Sequence, residues 1–95
     1  MTWRLTADAE RDLDAITTHG ARTFGLASAL EYYDELIELF YELAAHPHIN
    51  PERNAKRHSV RLHRHKGHHV LYAIEDADVL ILRILHGSAD WIDHL

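Results

Sequence analysis

The stretch VLILRILHG at residues 79–87 decides the fold of this 95-residue chain. Its side chains are aliphatic except for Arg83, His86 and Gly87, and such a run favours a strand that is buried on both faces. The segment HHVLY at residues 68–72 precedes it, and the acidic residues 75–78 form a turn between the two. We therefore place residues 79–85 in a strand at the centre of a sheet.

Alternating patterns predict three further strands. Trp3 and Leu5 alternate with polar neighbours at the start of the chain, and Val60 and Leu62 do the same after residue 57. A turn at residues 64–67 leads into the next strand. The inner row of that strand is Val70, Tyr72 and Ile74.

Two helices are predicted between the first and second strands. Thr6 suits the N-cap of the first helix, because its hydroxyl can accept from a free backbone N–H of the first turn. Residues 17–20 have poor helix propensity, which predicts that this helix frays or kinks there. Gly25 then makes the hinge into the second helix. The apolar stripe of the first helix is Ala9, Leu13, Ile16 and Phe24.

The second helix starts at Leu26 and has a strong amphipathic pattern. Pro47 ends it, because proline has no backbone N–H to donate. Residues 46–57 contain two prolines and two asparagines with little periodicity, which predicts a connecting loop. The apolar face is Ala29, Tyr33, Leu36, Ile37, Phe40, Leu43 and Ala44, and the opposite face holds Glu31, Asp34, Glu35, Glu38 and Glu42.

These elements predict one α+β domain over residues 1–95, in the order β-α-α-β-β-β. The helical hairpin packs on one face of a small, mostly antiparallel sheet, and the other face stays partly open. A short helix or turn follows from Ala89. A chain of this length buries roughly two-thirds of the surface that its unfolded form exposes, which suits one domain.

Composition excludes several classes of function. The chain has no cysteine, so it has neither a thiolate metal site nor a thiol nucleophile. None of its serines lies in a strained turn between small residues, and it has no glycine-rich phosphate loop. No apolar run approaches the roughly 18 residues of a membrane span, and no apolar leader opens the chain. We expect a cytoplasmic protein with no membrane partner.

Charge is distributed unevenly along the chain. The net charge is −5. Residues 51–69 nevertheless hold six Lys or Arg and one acidic residue, whereas residues 1–50 hold three Lys or Arg and nine acidic residues. This division indicates two faces with different partners, or simply two solvated segments. Protonating all ten histidines would change the net charge from −5 to +5. We expect solubility or partner binding to depend on pH.

Histidines are concentrated in the predicted hairpin. His63 and His65 share one strand face, and His68 or His69 could lie opposite them, so that three imidazoles could bind zinc or nickel. The alternative is a solvated hairpin. Catalytic metal sites also need ordered groups that hydrogen-bond to the metal ligands, and the sequence does not reveal such groups. We therefore predict no metal and no cofactor.

Two arginines suggest a cationic patch on the sheet. Alternation puts Arg83 on the same side as Ile81 and Leu85, and puts His86 on the other side. If Arg83 lies on the open face, Arg61 from a neighbouring strand joins it in a patch suited to phosphate or carboxylate. The alternative is an arginine that pairs with a local carboxylate.

Three groups of residues carry a family resemblance that covers nearly the whole chain. The first is Thr6, Ala7, Ala9, Asp12, Leu13 and Ile16; the second is Phe24, Gly25, Ala29, Tyr33, Leu36, Leu43 and Pro47; the third is His69, Tyr72, residues 83–87 and Asp90. In this order and spacing they resemble the ParE branch of the RelE/ParE superfamily of toxins.

The resemblance implies the toxin of a type II toxin-antitoxin module, which inhibits DNA gyrase and is neutralised by a ParD-like antitoxin in a hetero-oligomer. Such an inhibitor needs no catalytic residues of its own. The target-binding residues would be Arg61, Arg83, His86, Asp90 and Trp91. The antitoxin would bind the rim of the helical hairpin and the open sheet edge, by helix-in-groove and strand-addition modes. Its contacts on the hairpin would be Leu13, Ile16, Tyr33, Ile37 and Phe40.

Two alternatives stay open. A RelE-like protein would cleave mRNA on the ribosome, which requires groups that activate the ribose 2′-hydroxyl, stabilise the phosphorane and protonate the leaving oxygen. Arg61 and Arg83 could supply charge and histidines could supply the acid or base, but the C-terminal end lacks a tyrosine. The second alternative is a degenerate toxin that only binds its antitoxin.

Overall fold

A helical hairpin covers one face of a mixed sheet. The computed structural model describes residues 1–56 and 58–95, and Arg57 of the basic segment lies outside the described residues. Short 3₁₀ turns cover Pro47–Ile49 and Trp91–His94. The helices and strands are β1 (Trp3–Leu5), α1 (Ala7–Phe24), α2 (Leu26–Ala45), β2 (Glu52–Ala55), β3 (His58–His65), β4 (His68–Glu75) and β5 (Asp78–His86).

The sheet has the strand order β1-β5-β4-β3-β2. β1 pairs in parallel with β5, and the remaining neighbours are antiparallel. The predicted α+β class, the helical hairpin and the interior position of the last strand are therefore confirmed. None of the helices in residues 1–56 and 58–95 is long and apolar enough to cross a membrane.

The main core lies between the hairpin and the sheet. Tyr72 is fully buried there, and its hydroxyl donates to the carbonyl oxygen of Pro47 at 2.9 Å. This bond fastens the segment after α2 to the middle of the sheet, since a buried hydroxyl is costly without a partner. The core residues are Ala9, Leu13, Leu36, Leu39, Phe40, Leu43, Ala44, Val70, Tyr72, Val79, Ile81 and Ile84.

The hairpin begins and turns where the sequence predicts. The hydroxyl of Thr6 accepts from the backbone N–H of Ala9 at 3.0 Å, which satisfies one of the free donors at the start of α1. Gly25 separates the helices with φ of 93°, a backbone conformation that favours glycine.

The helix neither frays nor pauses at residues 17–20, because α1 continues to Phe24. The Thr17 hydroxyl donates to the carbonyl oxygen of Leu13 at 2.9 Å within the helix. A Cβ at Gly20 would lie 3.4 Å from the Cβ of Ala29, at the limit of ordinary van der Waals contact, so α1 and α2 are close together at this point. Phe24 does not join the apolar stripe either, since it is 73% exposed.

The predicted loop at residues 46–57 contains a fifth strand. β2 pairs along its length with β3, from Glu52 opposite Arg61 to Ala55 opposite His58. Three of its four residues are exposed. A strand at the edge of a sheet with both faces solvated has no alternating apolar pattern, so the sequence gives no signal for it.

An irregularity in β5 overturns the predicted alternation around Arg83. Tyr72 lies opposite Ile81 and Leu71 lies opposite Arg83, so Leu82 is an extra residue in the pairing. Such a bulge shifts the period-two pattern by one position. Ile81 consequently belongs to the main core whereas Leu85 lies in a second cluster.

The second cluster lies on the sheet face opposite the hairpin. Leu62, Leu71 and Leu85 form its buried centre. The C-terminal tail folds back over them, with Ala89, Trp91 and Leu95 packed against the cluster beside Leu82. The face that was predicted to be partly open is thus covered in part by the tail.

Candidate functional site

Arg83 is bound in an ion pair at the edge of β5. Its Nε and Nη2 donate to the two carboxylate oxygens of Asp12 at 2.8 and 2.9 Å. The backbone N–H of Ile84 donates to the same carboxylate at 2.9 Å. Hydrogen bonding to Asp12 raises the pKa of Arg83. The alternative in which this arginine pairs with a carboxylate is correct, and its charge is compensated within the fold.

Arg61 lies apart from Arg83. It is opposite Tyr72 on β4, and its Nη1 donates to the carbonyl oxygen of Asn50 at 2.5 Å. The side-chain nitrogen of Asn50 lies 2.8 Å from Nδ1 of His63 and donates to the Tyr72 hydroxyl at 3.2 Å. The patch of Arg61 with Arg83 does not form, and Arg61 instead holds the segment after α2 against the sheet.

A shallow cavity of about 230 Å³ adjoins this network, lined by Leu39, Glu42, Leu43, His46, Ile49 and His63. Burial and the neighbouring His65 lower the pKa of His63, and Glu42 opposes them. His63 therefore carries little charge at neutral pH. A neutral imidazole hydrogen-bonded to Asn50 suits a structural role in this network.

Three of the predicted target-binding residues follow one another at the end of β5. His86 is exposed, and its Nδ1 accepts from the backbone N–H of Ser88 at 3.2 Å. The carboxylate of Asp90 is exposed and accepts from the N–H of Ile92 at 3.2 Å, which caps the last turn. Trp91 packs on the second cluster with its ring partly exposed. His86, Asp90 and Trp91 are thus close in sequence and at least partly exposed, and we call these three residues the tail surface.

A cluster of titratable side chains lies beside the β3–β4 turn; the sequence predicted that its histidines face each other across the hairpin but not their contacts with α2. The Tyr32 hydroxyl lies 2.6 Å from Nδ1 of His68, and the rings of His68 and His86 are 6.2 Å apart. Nε2 of His65 is buried without a hydrogen-bond partner, at 3.8 Å from Glu35. Tyr32 and Glu35 are three residues apart on α2, so helical spacing was the one available signal.

Burial and neighbouring charges favour the neutral forms of Tyr32 and His68. Burial, followed by the proximity of His86 and His65, lowers the pKa of His68. Burial and the charge of Glu35 raise the pKa of Tyr32. The residues described in the structure contain no group of three or more His, Asp or Glu side chains placed to bind a metal ion. The cluster is a hydrogen-bonded contact between α2 and the hairpin of β3 and β4.

An exposed apolar stripe runs along α2. Leu26, Leu30 and Tyr41 are 64%, 48% and 64% exposed, Tyr33 is also exposed and Ile37 is half-buried. Their spacing of three and four residues places them on one side of the helix. We call these five residues the α2 stripe.

The predicted antitoxin contacts are divided between this stripe and the core. Tyr33 and Ile37 lie on the stripe, and Ile16 is half-buried on α1. Leu13 and Phe40 are 4% and 0% exposed, because they fill the core between the hairpin and the sheet. A partner cannot reach these two side chains in the folded chain, so they are not surface contacts.

The architecture defines the class of protein, a small α+β fold that two solved toxin-antitoxin systems share. A chain of the chromosomal ParDE toxin-antitoxin system from P. aeruginosa superposes with a TM-score of 0.78 at 24% identity, covering 90% of this chain and 95% of that one. A chain of the toxin-antitoxin complex RelBE2 from Mycobacterium tuberculosis superposes with a TM-score of 0.68 at 22% identity and the same coverage. At these identities the likeness establishes the fold alone.

Sequence comparison establishes the family. Residues 3–91 match the family model of the ParE toxin of the type II toxin-antitoxin system parDE. Toxin ParE1 of Caulobacter vibrioides is 32% identical over 94 residues, which is 98% of this chain and 96% of that protein. Toxin ParE3 of the same organism is 32% identical over 76 residues, or 80% and 76% of the two chains. The chain belongs to the ParE toxins of type II toxin-antitoxin systems.

Proposed function

We propose that this ParE toxin inhibits DNA gyrase by binding it, without catalytic residues of its own. The observation that carries the proposal is the family match over residues 3–91. We further propose that a ParD-like antitoxin neutralises the toxin in a hetero-oligomeric complex in the cytoplasm. The two partners would use different surfaces, consistent with the uneven distribution of charge along the chain.

The tail surface is the proposed contact with gyrase. His86 and Asp90 are exposed, and Trp91 presents part of an aromatic ring, a residue type that often dominates binding energy. Arg83 and Arg61 act indirectly in this proposal. Arg83 fixes the end of β5 through Asp12, and Arg61 fixes the segment after α2 through Asn50.

The α2 stripe is the proposed contact with the antitoxin. Exposed apolar residues at helical spacing suit an amphipathic helix laid along them. The stripe is flanked by the exposed carboxylates of Glu31, Asp34 and Glu38. Charge complementarity therefore favours an antitoxin helix with lysine or arginine beside its apolar face. The outer edge of β1 or β2 would accept an added strand from the same partner.

The test is a supercoiling assay with purified gyrase and purified toxin. We expect supercoiling to be inhibited near stoichiometric concentrations and restored by the cognate antitoxin. The double variant His86→Ala with Asp90→Ala should inhibit at least about tenfold less strongly, as expected when contacts in an interface are removed. The control is Thr18→Ala, an exposed substitution on α1. Supercoiling that continues at a large excess of folded toxin would rule out gyrase as the target.

The same preparation tests the alternatives. Transcript cleavage in a translating extract would support the endoribonuclease hypothesis, although Arg61 and Arg83 do not share a site as that chemistry would require. Antitoxin binding by a protein that neither arrests growth nor acts on gyrase would support the degenerate toxin.

A further inference from the structure

A second cationic surface lies on the sheet face opposite the helices. Arg64 on β3 is directly opposite His69 on β4. Each lies two residues from a leucine of the second cluster, Leu62 or Leu71, so both side chains project from that same face. Arg53 on β2 is opposite Val60, which is also two residues from Leu62 and shares the face. Arg53, Arg64 and His69 form the group that we call the β-face cluster.

The charges of this cluster are not neutralised within the described part of the chain. Arg53 and Arg64 are exposed, and among residues 1–56 and 58–95 their side chains form no ion pair with a carboxylate within 4.0 Å. Arg83 differs in being fully paired with Asp12. Two free guanidinium groups on one rigid sheet face are suited to binding oxyanions.

His69 adds a polar group that lacks a partner. Its Nδ1 is shielded from solvent and has no hydrogen bond within the described residues. Burial, together with the positive charges of Arg64 and Arg53, lowers the pKa of this imidazole. A bound oxyanion would compensate the charges of the two arginines.

The surroundings of the cluster favour nucleic acid over an acidic protein segment. The partly exposed Trp91 packs on the second cluster, so an aromatic ring lies on the same sheet face as the cations. Arg53 on β2 lies opposite Val60, four residues before Arg64 on β3, so the two arginines are about 13 Å apart in the direction of the strands. That separation is comparable to the roughly 12 Å width of the major groove of duplex DNA, whose two rims carry phosphates.

We propose that the β-face cluster binds the phosphodiester backbone of duplex DNA. Because the proposed target, gyrase, itself holds duplex DNA, the cluster would anchor the toxin to the DNA of the gyrase complex. This role in inhibition rests on the proposed function, whereas DNA binding by the toxin alone does not. Backbone contacts of this kind fix position without reading sequence.

The experiment measures fluorescence anisotropy of a labelled 20-base-pair duplex with the purified full chain in the absence of gyrase. The test variant is Arg53→Gln with Arg64→Gln. The control, Arg11→Gln with Arg22→Gln on α1, changes the net charge equally. We expect the test variant to bind at least about tenfold more weakly at 50 mM salt, and its dependence of log Kd on log salt to fall by about two. Circular dichroism confirms that both variants are folded.

Several results would overturn the proposal. Equal losses in the test and control variants would mean that net charge alone attracts DNA. Absence of binding at the lowest salt would exclude the site. Equal or tighter binding of single-stranded RNA or polyglutamate would assign the cluster to another partner. If the test variant loses DNA binding yet inhibits gyrase normally, the contact has no role in inhibition. If the toxin binds DNA through this cluster but does not inhibit gyrase, DNA binding by the β-face cluster would be supported and the proposed function would be wrong.

Discussion

One carboxylate completes the edge of the sheet where β1 stops. β1 pairs only with Val79, Leu80 and Ile81 of β5, so the next backbone groups of β5 need other partners. The Thr6 hydroxyl donates to the carbonyl oxygen of Leu82 at 2.8 Å, and Asp12 accepts from the N–H of Ile84. The start of α1 therefore supplies hydrogen-bond partners to the backbone of β5 beyond the end of β1. The same carboxylate also accepts hydrogen bonds from Arg83. This ion pair links α1 to β5, the strand that leads into the tail.

We predict that Asp12→Ala lowers the free energy of unfolding by about 2 to 4 kcal/mol, because it leaves a largely buried guanidinium and a strand N–H without their acceptor. Urea unfolding measures the change. The control is Asp8→Ala, which removes the exposed ion pair with Arg11 and should cost no more than about 1 kcal/mol. Equal costs for the two variants would mean that the Asp12 pair is no more stabilising than a surface pair.

At the scale of elements, the parts that the sequence predicts are those whose signal is local. Thr6 and Gly25 mark the helix boundaries through their own chemistry, and the amphipathic pattern of α2 predicts most of its buried face. β2 lacks such a signal because it is exposed on both faces. The bulge at Leu82 lies in a run that is apolar on both faces, so no change of pattern marks it. The partner of Arg83 is 71 residues away in sequence, which puts the pair beyond any local pattern.

We predict that the folded chain loses stability in acid, in part because the contact of α2 with the β3–β4 hairpin weakens. The pKa values of His63, His68 and His69 are lowered in the folded chain, so the unfolded chain binds more protons near pH 6. The unfolding free energy should therefore be highest above pH 6.5 and fall as pH drops through that value toward the lower folded pKa values, by up to about 1.4 kcal/mol per pH unit for each proton.

Urea unfolding at pH values from 5 to 8 provides the measurement. His68→Gln should reduce the slope, because it removes the imidazole that packs against Tyr32, His65 and His86. His19→Gln, on the exposed surface of α1, is the matched control and should retain the wild-type slope. A slope that His68→Gln leaves unchanged would exclude this residue as the origin of the acid sensitivity.

At the scale of the whole molecule, the tail is both a structural cover and the proposed contact with gyrase. Trp91 and Leu95 shield Leu62, Leu71 and Leu85 from water. We predict that Trp91→Ala lowers the unfolding free energy by about 2 kcal/mol, less than the 3 to 5 kcal/mol typical of a fully buried tryptophan because its ring is partly exposed. Calorimetry or urea unfolding measures this. Ile92→Ala, at an exposed neighbour, should cost less than about 1 kcal/mol.

The two proposed binding surfaces predict separable losses of function, because the α2 stripe and the tail surface lie on different elements. Leu30→Glu places a charge on the exposed stripe without disturbing the core. We expect it to weaken antitoxin binding by about 2 kcal/mol or more, close to 30-fold, and to leave gyrase inhibition unchanged. The double variant His86→Ala with Asp90→Ala should weaken gyrase inhibition and leave antitoxin binding unchanged. Isothermal titration with antitoxin and the supercoiling assay measure the two functions on the same preparations. Loss of both functions in either folded variant would mean that gyrase and antitoxin compete for one surface, and the uneven charge of the chain would then need another explanation.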